Sequence, residues 1–96
     1  LRLLTPEDFE PWVGRPVRIN TLPRPVEVLL ARIERMPRLA GLDIRDRFSL
    51  MFEAPLNVML MDAAYEFDCG RGGPYQIHIN QLRPTPEARR YQAIFT

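Results

Sequence analysis

The residues able to do chemistry concentrate in one stretch, "FDCGRGGPYQIHIN" (67–80). It holds the only cysteine, Cys69, and the only histidine, His78, with three glycines and Arg71 between them. A thiolate nucleophile needs its base within hydrogen-bond reach, about 3 Å. The alternation of "AYEFD" and "PYQIHIN" about the glycines predicts a β-hairpin with its tip near Arg71. Facing residues then have numbers that sum to 142. His78 falls opposite Ala64, five positions along the strand from Cys69, which is roughly 16 Å. That register excludes a thiol–imidazole dyad within the hairpin. It leaves His78 on a polar face with Gln76 and Asn80, and Cys69 outside the core.

Other chemistries fare no better. Ser49, the only serine, lies between Phe48 and Leu50 on an alternating strand, is expected to be solvated, and has no G-x-S-x-G turn to expose it as a nucleophile. Asp43, Asp46, Asp62, Glu66 and Asp68 are scattered, and a single histidine does not make a zinc or iron site. The absence of lysine from the chain rules out Schiff-base and P-loop lysines. Thirteen arginines balance twelve acids, for a net charge of +1, without the clustered basic excess of a nucleic-acid binder. "CGRGGP" has the composition of a backbone nest for an anion, with Gly70, Arg71, Gly72 and Gly73 as its residues, and a single Arg-Gly-Gly hints weakly at RNA. The simpler account is that these glycines supply the positive φ angles of a tight turn.

The elements that must position these residues are short. "TPEDFEPWVG" (5–14) predicts one or two helical turns: Thr5 as cap, Pro6 in the first turn, Glu7 and Asp8 at the positive end, and Pro11 and Gly14 as limits. Thr5 and Asp8 have capping-box spacing. Phe9 and Trp12 share one face of this helix, placed to plug the end of a sheet. Strands are predicted at 15–20, 47–53, 64–68, 74–80 and 89–95, each with apolar residues at every second position. Residues 26–36, "VEVLLARIERM", are ambiguous. Val26, Leu29, Leu30, Ile33 and Met36 make a helical stripe, which periodicity favours. A strand there needs a bulge, after which Ala31 and Ile33 face inward. Residues 37–46 form a turn-rich connection.

In order, "LTPEDFEPWVG", "ARIERMP", "FSLMFEAP", "AYEFD", "IHINQLRP" and "RRYQAIF" resemble a family of small uncharacterised bacterial β domains of about this length. Its features are an L-x-x-E-D-F opening, an F-x-L-x-F strand and a Y-x-A-x-F closing strand. The resemblance implies an all-β fold and reverses the reading of 26–36 to a strand. It carries no active-site residues with it. It implies an accessory role, because genes of the family often lie near phage tail-collar-like or microcystin-dependent-type proteins. The chain departs from the family at "NVMLM" (57–61), more apolar than expected, and at the glycine-rich 69–73.

The expectation is one mainly β domain over 1–96, a small antiparallel barrel or sandwich of five to six strands with a short N-terminal helix. The chain lacks an apolar run of membrane-spanning length, and "LRLLTPEDF" is too charged for a signal peptide. It reads as a cytoplasmic, non-enzymatic structural or interaction domain without cofactor, metal, nucleic-acid or membrane partner. A small-ligand or glycan-binding module is the second reading. The candidate interface is Val58, Met59, Leu60 and Met61. Methionine adapts to irregular partner surfaces, and an apolar loop in a small domain has few places to hide. The plainer alternative has Val58 and Leu60 filling a barrel end with Met59 and Met61 partly covered.

Overall fold

The computed structural model describes residues 4–35 and 47–95. It is a closed six-stranded barrel with a short helix at one end. The helix α1 (Pro6–Phe9) runs into a 3-10 turn (Glu10–Trp12). The strands are β1 (Pro16–Ile19), β2 (Val26–Arg35), β3 (Phe48–Ala54), β4 (Ala63–Asp68), β5 (Tyr75–Gln81) and β6 (Arg89–Phe95). Around the barrel they follow the order β1-β2-β3-β6-β5-β4, and every neighbouring pair is antiparallel.

Residues 26–35 are strand, and the bulge that a strand required is present. Leu30 pairs with Phe52 and Arg32 with Met51, leaving Ala31 as the extra residue. The bulge explains the misleading periodicity. One residue added to a period of two puts Leu30 and Ile33 three apart, which is also helical spacing. Both side chains belong to the core or pack against it.

The helix forms as its residues dictate. Asp8 reaches back to accept from the backbone N–H of Thr5 at 2.8 Å and from its hydroxyl at 3.1 Å, so the short aspartate closes the box. This places Phe9 and Trp12, both fully buried, in one end of the barrel. Their rings meet edge to face at 5.1 Å. Phe9 also packs on Tyr75, Phe95 and Phe48. Phe48 and Phe95, a cross-strand pair, stack at 4.6 Å. The helix is a plug, and burial of its aromatic pair is what holds it there.

One expectation about exposure needs correction. Ser49 and Met51 belong to the outward row of β3, yet they are only 1% and 6% exposed. β3 is paired along its length with β2 and β6. Glu34 and Ile94 flank Ser49, while Arg32 and Gln92 flank Met51, so longer neighbours shield both. Cys69 lies outside the buried cluster, as expected, but is not a free surface thiol. It is half-buried, packs against the core cluster and donates to the carbonyl of Pro16 at 3.5 Å.

Candidate functional site

The ring order decides what residues 55–62 do. β3 and β4 are adjacent in sequence but sit on opposite sides of the barrel. Their connection must therefore cross the open mouth, at the end away from the helix plug. "NVMLM" is a strap, not a protruding loop tip. Alternation along it sends Leu60 into the core and Val58 against it. Met59 and Met61 point the other way and are 71% and 80% exposed. They are more open than the partial cover expected of a simple barrel filler.

The strap is pinned from below. The hydroxyl of buried Tyr91 donates to the carbonyl of Val58 at 2.8 Å and accepts the amide of Leu60 at 2.9 Å. From the side, Tyr65 donates its hydroxyl to the Met61 carbonyl at 3.1 Å. Asp62 accepts the Gln81 amide at 2.8 Å, and Arg89 donates to the Leu56 carbonyl at 2.6 Å. A segment held at this many points presents its outer side chains in a fixed place.

Across the mouth lies the β1–β2 turn, and Leu22 on it is 96% exposed. Leu22, Val58, Met59, Met61 and Tyr65 share a groove of about 640 Å³ with Arg24 at its edge. The turn opposite is fixed by Thr21, whose hydroxyl donates to the carbonyl of Arg24. Leu22 escaped the sequence reading because "TLPRP" identifies a turn but not what the turn faces.

The reactive residues stay apart, as the hairpin register requires. Ala64 pairs with His78 and Phe67 with Tyr75, and His78 is exposed on the outer face. The glycine turn serves the plug. The carbonyl of Arg71 accepts the Trp12 indole N–H at 2.9 Å, while Tyr75 stacks on the same ring. Gly70, Gly72 and Gly73 all have positive φ. The N–H of Gly70 is taken by the carboxylate of Asp68 at 2.9 Å, so an internal anion occupies that part of the nest. Asp68 also accepts from Arg18 at 3.1 Å. Of the scattered acids, Asp43 and Asp46 lie outside the described residues. Among the described residues no group of three His, Cys, Asp or Glu gathers closely enough to hold a metal ion. None of the helices among them is long and apolar enough to cross a membrane.

Fold and mouth together define a small closed all-β barrel domain with one strapped, apolar end. A family model described as a domain of unknown function (DUF6916) matches residues 4–95, and the chain belongs to that family. No curated protein and no solved structure matches the chain.

Proposed function

We propose that this domain is a non-enzymatic interaction module that docks another protein chain, a second copy or a separate partner, through the strapped mouth of the barrel. One observation carries the reading: Leu22, Met59 and Met61 are highly exposed, and they line a single groove on rigidly held backbone. Scattered surface apolar residues need no explanation, but a contiguous set around a concavity marks an interaction surface. Methionine pairs there give an adaptable contact. An accessory role beside tail-collar-like proteins in bacteria, suggested by the family resemblance, requires a docking surface of this kind.

The ligand-binding alternative has less support. Trp12, the aromatic residue best suited to stack on a sugar, is fully buried with its N–H bonded to Arg71, and Tyr65 is the single aromatic side chain lining the mouth groove. The test is Met59→Glu combined with Met61→Glu. Both side chains point to solvent, so the fold is expected to survive with a stability change within about 0.5 kcal/mol. The variant should lower the solution mass or raise the solubility of the protein. Unchanged mass together with unchanged solubility would sink the proposal.

A further inference from the structure

On the outer face of the barrel, beside the start of the strap, a second groove of about 340 Å³ is lined by Pro16, Leu29, Pro55 and Ala88 with Glu27, Glu53 and Glu87. It shares no lining residue with the mouth groove. The pairing places its parts. Pro16, Leu29 and Glu53 form one outward row across β1, β2 and β3. Glu27 is two positions from Leu29 on the same face of β2. Glu87 sits in the turn closed by Thr85 and Ala88, whose backbone and hydroxyl bonds fix it.

The arrangement of charge around this groove is unusual for the chain. Arg18 lies directly across the ladder from Glu27, and Arg90 directly across from Glu53. Such cross-strand pairs ordinarily neutralise each other. Here both arginines are engaged elsewhere. Arg18 bridges to Asp68 at 3.1 Å, and Arg90 donates twice to the carbonyl of Arg83, at 3.1 and 2.8 Å. The carboxylates of Glu27, Glu53 and Glu87 have no ion pair or hydrogen bond to any described residue. Three carboxylates without a cationic partner among the described residues thus rim an apolar floor.

We infer that this groove binds an extended segment of a partner protein that carries arginine or lysine interspersed with apolar residues at every second position, so that both kinds of side chain point into the groove. The cations would meet the three glutamates. Their aliphatic stems, and the apolar residues between them, would lie on Leu29 and the two prolines. A bare cation would gain nothing from that floor, and an acidic or neutral segment would leave the rim unpaired.

The probe is a fluorescein-labelled synthetic peptide repeating Arg-Ser-Val-Ser, whose arginines and valines share one face of an extended chain, read by fluorescence anisotropy against the intact domain. Two control peptides replace every arginine with glutamate or every valine with serine. Binding is expected for the first peptide only. It should weaken at least about tenfold in the triple variant Glu27→Gln, Glu53→Gln, Glu87→Gln, and steeply as salt rises from about 0.05 to 0.3 M. Leu29→Ser should weaken it several-fold with the charges intact. A variant of equal charge change at the plug end and outer β2 (Glu7→Gln, Glu10→Gln, Glu34→Gln) should bind as the wild type does. Equal loss in both triple variants would reduce the effect to net charge and overturn the inference. So would absence of binding, or undiminished binding of the serine peptide. A dimer of the domain that the groove variant dissolves would put a second copy's arginines in the groove and overturn the assignment to a separate partner.

Discussion

Replacing Tyr91 with phenylalanine removes one oxygen and keeps the ring, so packing under the strap is preserved and only its attachment changes. That oxygen makes two bonds, donating to Val58 at 2.8 Å and accepting from Leu60 at 2.9 Å. The two ends do not lose equally. The Leu60 amide is buried, and without the hydroxyl it has no acceptor, a cost of about 1–3 kcal/mol. The Val58 carbonyl is only part-buried and can turn to water, so its loss is closer to the net worth of one bond, about 0.5–1 kcal/mol. The sum is about 1.5–4 kcal/mol, which for a domain of this size lowers the melting temperature by roughly 6–30 °C. Urea denaturation should show this as a lower midpoint with an unchanged slope. Hydrogen exchange should locate it, with the Leu60 amide losing protection first. A loss below about 0.5 kcal/mol with Leu60 exchange unmoved would refute the view that Tyr91 pins the strap.

Two further outcomes test other parts of the fold. Deleting Ala31 removes the bulge but keeps Leu30 and Ile33 facing inward, so a cooperatively melting barrel is expected. Deleting Ser49, where β3 has no bulge, sends Phe48 outward and should abolish the melt; circular dichroism thermal scans in which the two deletions behaved alike would contradict the assigned register. In the glycine turn, Gly72→Ala puts a Cβ at 3.2 Å from the Tyr75 hydroxyl at a φ of +83°, whereas Gly70→Ala meets nothing within 4 Å. Both carry the left-handed penalty of about 1–2 kcal/mol, and denaturation should find Gly72→Ala the costlier of the two.

What the sequence made legible follows from what is local. The clean alternation of Phe48, Leu50 and Phe52, and of Tyr91, Ala93 and Phe95, names strands directly. The glycine tip at Arg71 sets a hairpin register that pairs Ala64 with His78, as observed. Residues 26–35 were harder because the Ala31 bulge imitates a helical period. Resemblance to a family, rather than periodicity, pointed to the strand. The role of 57–61 was legible only in part. Its apolar character is visible in "NVMLM", but its course across the mouth depends on β3 and β4 lying on opposite sides of the barrel, a consequence of long-range closure. Leu22 joins the candidate site for the same reason. The diversion of Arg18 and Arg90 from their cross-strand glutamates is likewise a matter of side-chain choice that no spacing reveals.

The central claim is that the strapped mouth, with Met59 and Met61 at its edge, is the docking face. Methyl resonances of methionine-labelled protein followed over a dilution series test it most directly, because an uncovered apolar patch associates with itself at high concentration. The account predicts that the Met59 and Met61 methyls shift and broaden as concentration rises, while that of buried Met51 holds still. Met59 and Met61 resonances that stay sharp and unmoved across the series would contradict it.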